Sequence, residues 1–396
     1  MLKRKNIPKG INLLTLSTSI RWFGWGLGEA FIPIFLLLFS TNFLETGFLA
    51  SVFNIVFFLS LPISAYLADN FKAKRMILAA MIIYIFIGLG YFLAGLAGLV
   101  IFIVISRGLN GVSYSLDQIG RESYFMRHSS KGETSRVFGR FDLITILWWI
   151  FAVLLGFAMV QFFNVKIHEL LFFIAPTSLI SFLVVLKLKE KNKKKKKVRF
   201  SVEKAYLKMF KEIKHFNKRL KLIAILAFVF GILNSIIYFF VPISAYLGGN
   251  GLIGAALLAL VYSVPLMFGK NLGKIADRKK GKIYFFGIIA LILILLCLIF
   301  FKNYIVLLAV MFFSSVVFEL ISLTNKGMIT RIANRSHIGE VDGSLIGIAA
   351  LGIIIGPILF GLLIDSINIT NAYIVITAIT LVSLFILIKE RKHLKS

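Results

Sequence analysis

Five ionisable residues stand in stretches of this sequence that are otherwise too apolar to hold a charge: Arg21, Glu29, Arg107, Asp117 and Glu319. An ion in hydrocarbon costs about 2.5–3.5 kcal/mol even on insertion scales, so each needs a partner or a polar path. Two chemistries suit them. A carboxyl can bind and release a proton, because burial favours its neutral form and a neighbouring guanidinium its ionised form. An arginine can clamp a carboxylate of the chain or hold an anionic group of a ligand. Other chemistries lack their residues. The five histidines, His128, His168, His215, His337 and His393, fall outside these stretches and far apart. The lone Cys297 cannot form an intrachain disulfide or a thiolate cluster. No metal, no cofactor and no enzymatic activity is expected, and no G-x-x-x-x-G-K-[ST] phosphate loop occurs.

Spacing sorts the polar residues onto helix faces. Arg107, Asn110, Tyr114 and Asp117 recur at i, i+3, i+7 and i+10, and Ser315, Glu319 and Ser322 share another face. Thr18, Arg21, Trp25 and Glu29 form a third stripe, and Asn234 and Tyr238 a fourth. The elements that carry them follow from composition. Of 396 residues, 59% are hydrophobic and only 16% charged, and the mean hydropathy is +0.91. Soluble domains carry about 25% charge. Disorder, a disulfide scaffold and a cytosolic enzyme are excluded, and the bilayer is the solvent.

A spanning helix needs about 20 apolar residues. That ruler yields segments 12–38, 47–67, 76–96, 99–119, 138–160 and 169–187, then 221–247, 252–272, 283–301, 304–325, 344–364 and 371–388. The fold class is an all-α integral membrane protein of twelve transmembrane helices. The first span is too long for a cleaved signal peptide. With the amino terminus in the cytoplasm, 41 of the 45 lysines and arginines fall on the inner side. Only Lys166 and Lys302 lie outside, and Arg21 and Arg107 within spans. This is the positive-inside pattern, so the net charge of +28 orients the chain in a cell (plasma) membrane with both termini cytoplasmic. It also suits anionic inner-leaflet lipids rather than nucleic acid.

The second half echoes the first about 208–209 residues later: Asp69 corresponds to Asp277 and Pro33 to Pro242. The division is a bundle of 1–187, a basic cytoplasmic linker of 188–220 and a bundle of 221–396. In the linker, Val202, Tyr206, Phe210, Ile213, Phe216 and Leu220 recur at helical spacing, an amphipathic helix for the inner membrane surface, with a flexible charged tether as the alternative. GKIADR (273–278) and AYLADNFKAKR (65–75) resemble the loop motif G-x-L-A-D-R-x-G-R-K of the major facilitator superfamily. RGLNG (107–111) resembles its R-x-x-x-G motif, and GIIIGPILFG (352–361) its glycine-proline helix motif. The first loop departs from the pattern at Ala65, Asn70 and Ala73, so Lys72, Lys74 or Arg75 would have to complete its charge clasp.

The resemblance implies two pseudo-symmetric six-helix bundles. Spans 1, 4, 7 and 10 would line a central cavity, with a conformational loop motif at Asp69, Lys74, Arg75, Gly273, Asp277 and Arg278. The polar stripes, found independently, fall on the same four spans. Depth counting in antiparallel spans 1 and 4 pairs Arg21 with Asp117 and Glu29 with Arg107. Glu319, on a face it shares with serines, is the first choice of proton carrier, and Glu29 the second. Asp142 is expected to cap span 5. Pro33 and Pro242 are expected to bend their helices, and Gly352 and Gly356, with Pro357, to pack closely. Most of Trp22, Trp25, Trp148 and Trp149 are expected to face lipid or the membrane interface, with stacking on an aromatic substrate as the alternative. The implied function is secondary active transport of a small molecule by a monomer, coupled to protons, with export of lipophilic drugs or metabolites first. Uptake of a sugar, organic acid or other metabolite is the alternative, and a channel or lipid scramblase a remote one.

Overall fold

Backbone N–H and C=O groups find no partner in hydrocarbon, so a spanning segment must satisfy them internally, as a helix does. The computed structural model describes residues 8–128, 134–190, 214, 216–279, 281–332 and 338–390. Its first half comprises α1 (Lys9–Glu29), α2 (Ile32–Leu38), α3 (Phe43–Asn70), α4 (Ala73–Ala97), α5 (Val100–His128), α6 (Thr134–Phe163), α7 (Ile167–Phe172) and α8 (Ile174–Leu186). The second comprises α9 (Lys218–Ala245), α10 (Gly251–Ser263), α11 (Gly269–Lys279), α12 (Lys282–Phe300), α13 (Tyr304–Ile332), α14 (Ile338–Ile367) and α15 (Ile369–Lys389). The linker segment expected as an amphipathic helix lies largely outside the described residues.

Among the described residues nine helices are long and apolar enough to cross a membrane, or ten if α1 and α2 form one broken span. The stretch Lys218–Phe268, counted there as one, holds both α9 and α10. The remaining expected span, α5, is diluted by the polar stripe it carries. Exposed Phe86, Phe151, Phe286 and Phe385 mark lipid-facing surface.

Local chemistry explains the breaks. Pro33 has no N–H for the carbonyl of Glu29, and the helix is interrupted between α1 and α2. Gly98, at φ 67°, ends α4 in the left-handed conformation, its N–H donating to Ala94 O at 2.9 Å. Gly249 and Gly251, at φ 86° and 68°, turn the chain from α9 into α10. Asn217 caps α9 by accepting from Leu220 N at 2.9 Å. Asp142 does not cap: α6 begins at Thr134, which leaves Asp142 in the third turn and exposed.

The helices gather into two compact units, one of residues 1–32 and 55–202, the other of 33–54 and 203–396. The second unit therefore includes α2 and the first turns of α3. Asp365, in the last turn of α14, accepts from Phe43 N at 3.0 Å and Leu44 N at 2.8 Å, capping α3. Ser51 Oγ donates to Ile354 O at 2.7 Å. Two glycines permit this approach. A Cβ on Gly47 would lie 2.1 Å from Pro357 O, and one on Gly361 2.2 Å from Phe43 O. Farther along α14, a Cβ on Gly352 would lie 2.2 Å from Phe228 O, and one on Gly356 2.8 Å from Ile232 O. These small residues let the backbones of α14 and α9 touch.

Candidate functional site

In the first unit the polar stripes of α1 and α5 meet. Arg21 Nη2 donates to Asp117 Oδ2 at 2.7 Å, the pair that depth counting anticipates. Sequence reasoning passed over a third member. Arg121, one turn beyond Asp117, donates from Nη1 to the same oxygen at 2.7 Å and to Thr18 Oγ1 at 3.2 Å. Its i, i+4 spacing was the signal. The Arg21 guanidinium lies 4.5 Å over the Tyr84 ring on α4, and that of Arg121 4.8 Å from the Phe141 ring on α6. One buried carboxylate thus ties α1 and α5 together, and its two arginines extend the tie to α4 and α6. One residue past Arg121, Glu122 Oε1 accepts from Gln118 Nε2 at 3.0 Å.

Glu29 takes a different partner from the one anticipated. Trp149 Nε1 on α6 donates to Glu29 Oε2 at 2.6 Å, while Arg107 acts on the carboxyl through space. The reason lies in Gly24-Trp-Gly-Leu-Gly28. A Cβ on Gly26 would lie 2.8 Å from Trp149 O, and one on Gly156 of α6 would lie 2.2 Å from Leu27 O. With the backbones this close, the indole reaches Glu29. Trp149 and Trp25 are buried, the latter edge-on to Tyr84 and Tyr91 at 6.2 and 6.4 Å. Only Trp148 is exposed, and Trp22 is half-buried, so the lipid-facing expectation fails for two of four. Trp149 is held inside by its bond to Glu29, and Trp25 by aromatic packing against Tyr84 and Tyr91.

On α5, Arg107 and Asn110 are 8% and 7% exposed, and Tyr114 is half-buried with its ring 5.3 Å from Phe57. His168, expected outside the spans, is buried at the start of α7, where its ring lies 5.8 Å from Phe92.

In the second unit, Asn234 Oδ1 on α9 accepts from Tyr262 on α10, whose ring lies 5.1 Å from Tyr238. Tyr262 was missed because span 8 was not expected to contribute. Glu319 on α13 acts electrostatically on Tyr262, and its Oε1 lies near Gly269 of α11. Ser315 is buried, and Ser322 is exposed. Among the described residues no His, Cys, Asp or Glu group could hold a metal ion.

At the loop motifs the side chains of Asp69 and Asp277 lie outside the described residues. Lys74 Nζ donates to Leu186 O at 2.5 Å, and Lys74 N donates to Glu190 Oε2 at 3.0 Å. Glu190 thereby caps α4, and Arg127 Nη2 donates to Ala68 O at 2.7 Å near the end of α3. Neither residue stands in the motif, and neither was singled out. Arg75 and Arg278 are exposed. Gly273 has open space where a Cβ would stand. Gly273→Ala is therefore expected to stabilise the helix by about 0.5–1 kcal/mol. Denaturant titration checks this, and transport that falls with stability intact assigns Gly273 to the moving parts.

Comparison with known proteins places these features. No curated protein matches the chain. Among solved structures it is similar to a mutant of the nucleoside transporter NupG, with a TM-score of 0.81 at 14% identity over 96% of this chain and 99% of that one. A bacterial homolog of the human lysosomal transporter Spinster, inward-facing and unoccupied, gives 0.70 at 14% identity over 98% of each chain. The human organic anion transporter MFSD10 (TETRAN) gives 0.66 at 13% identity over 96% of this chain and 100% of that one. The family profile described as Major Facilitator Superfamily matches residues 14–341 and 272–396. The all-α multi-pass fold, the stripes of its first and second units and that match agree: the chain belongs to the major facilitator superfamily of small-molecule transporters.

Proposed function

We propose that this chain is a proton-coupled secondary active transporter working by alternating access in the plasma membrane, with both termini cytoplasmic. The bundles of 1–187 and 221–396 are the moving parts, and 188–220 the tether on anionic inner-leaflet lipids. The monomer suffices, and energy comes from the proton gradient.

The observation that carries this reading is the neutral partner of Glu29. An indole N–H donates to a carboxylate and, more weakly, to the carbonyl oxygen of a protonated carboxyl. The Trp149 bond therefore persists through both protonation states, which suits a carrier that must load and unload without unfolding its site. Asp117, gripped by two guanidinium groups, suits a fixed joint. Glu29 becomes the first carrier to test and Glu319 the second.

Reconstitution in liposomes with a trapped pH dye tests the coupling. Substrate pools are expected to drive proton flux. Glu29→Gln is expected to abolish gradient-driven accumulation while downhill exchange persists. Flux unchanged in both Glu29→Gln and Glu319→Gln removes the mechanism. The sign of the flux settles direction: antiport with lipophilic cations supports drug export, and cotransport with polar metabolites supports uptake.

A further inference from the structure

The interior of the first unit carries more positive charge than negative. Among the described residues of this unit three guanidinium groups, Arg21, Arg107 and Arg121, are buried against one buried carboxyl, Asp117, with Glu29 and Glu122 half-buried, whatever the pairing between them. Two of the arginines share a single oxygen of Asp117. Hydrogen bonding shows the same bias. Buried without a hydrogen-bond partner among the described residues are the hydroxyls of Ser106 and Ser178, which can donate or accept, and two further groups, Arg21 Nε and Trp25 Nε1. Both can only donate, and both side chains adjoin the Tyr84 ring where α1 meets α4. Unmet donors in a bilayer cost several kcal/mol each, so this arrangement favours a ligand that brings acceptors and negative charge. A cation would add to the excess, and a neutral polyol would bring donors as well as acceptors.

Burial decides where such a ligand is held. Arg21 and Tyr84 lie at 2% and 0% exposure, whereas Arg107 and Asn110 keep a small open surface and Tyr114 a larger one. Arg107 leads this stripe, and Arg21 and Arg121 act electrostatically on Tyr114 at its other end.

We infer that the α5 stripe of Arg107, Asn110 and Tyr114 binds the oxyanion of a small organic acid, with Arg107 as its charge partner and the Arg21–Asp117–Arg121 knot as the source of the surrounding field. This rests on the transporter reading above and names its substrate class. Glu29 shares the field of Arg107, so ligand and Glu29 carboxylate compete for it. The groups acting on Glu29 are Arg21 on its own helix, Arg107 on α5 and the Trp149 indole on α6. Tyr91 on α4 and Tyr114 on α5 lie within its own influence. Anion binding is therefore expected to strengthen as pH falls and Glu29 takes up a proton, which makes the coupled process symport.

The test uses the full-length protein in lipid nanodiscs and four pools: monocarboxylates, organophosphates, their uncharged amides and alcohols, and lipophilic ammonium ions. Thermal stabilisation is expected with one of the two anion pools, which also tells carboxylate from phosphate. A single compound from that pool is expected to bind about 10- to 100-fold more weakly to Arg107→Gln, the worth of a charge-assisted hydrogen bond. Arg107→Lys is expected to recover part of the loss. If Arg107→Gln does not fold, Asn110→Ala and Tyr114→Phe replace it, each expected to weaken the same compound. Stabilisation by the uncharged or cationic pool alone overturns the inference, as does no response to either anion pool. So does anion binding that Arg107→Gln leaves intact. Anion uptake without proton movement leaves this inference standing and removes only the coupling; proton flux driven solely by cations does the reverse.

Discussion

Asp117→Leu is expected to destabilise the protein by about 3–5 kcal/mol, the cost of leaving buried charge without its partner. The figure belongs at the upper end here, because one substitution strands two guanidinium groups, Arg21 and Arg121, both largely shielded from solvent. Neither has an easy retreat. Arg21 is held over Tyr84 and Arg121 beside Phe141, at 4.5 and 4.8 Å from rings that cannot replace a carboxylate. Titration with a denaturing detergent, followed by the fluorescence of buried Trp25 and Trp149, measures the loss. The triple variant Arg21→Met, Asp117→Leu, Arg121→Met is expected to recover most of it, since apolar residues of similar volume often replace a buried ionic cluster at little cost. A single variant as stable as the parent would show that the knot contributes nothing.

The second large effect is expected at Gly47. A Cβ there would stand 2.1 Å from the backbone carbonyl of Pro357, and backbone cannot swing aside as a flexible side chain does. Gly47→Leu must therefore drive the first turns of α3 off α14. The Asp365 cap on Phe43 and Leu44 and the Ser51–Ile354 bond would be lost together. Overpacking at such a contact costs about 1–3 kcal/mol or more. Thiol labelling gives the direct readout. With Cys297 replaced by serine, a cysteine at position 51, where Ser51 is fully buried, is expected to react slowly in the parent and rapidly with Gly47→Leu. Unchanged labelling would mean that α3 stays on α14 despite the clash.

Much of this protein is readable along the chain alone. Segment length and hydropathy are one-dimensional properties set by bilayer thickness, so the spans emerge to within a few residues, as α4 at Ala73–Ala97 against an expected 76–96 shows. Helical periodicity puts Arg107, Asn110, Tyr114 and Asp117 on one face without any knowledge of neighbours. Depth counting suffices for Arg21 with Asp117, because two antiparallel helices of known register leave few other carboxylates at that level. Arg121 was equally legible by its spacing and was passed over.

What depends on which helices touch could not be read this way. Glu29 bonds Trp149 rather than Arg107 because glycines at 26 and 156 bring α1 within backbone distance of α6. Asn234 meets Tyr262, and the α3 amides meet Asp365, across separations of 28 and more than 300 residues. Residues 33–54 join the second compact unit although they belong in sequence to the first half. The lengths of the spans and the faces that carry polar groups stand in the sequence, since each follows from the local partition of residues between water and hydrocarbon. The tertiary structure alone decided which polar groups meet, because that depends on the rotation and close approach of whole helices, set by small residues scattered along the chain.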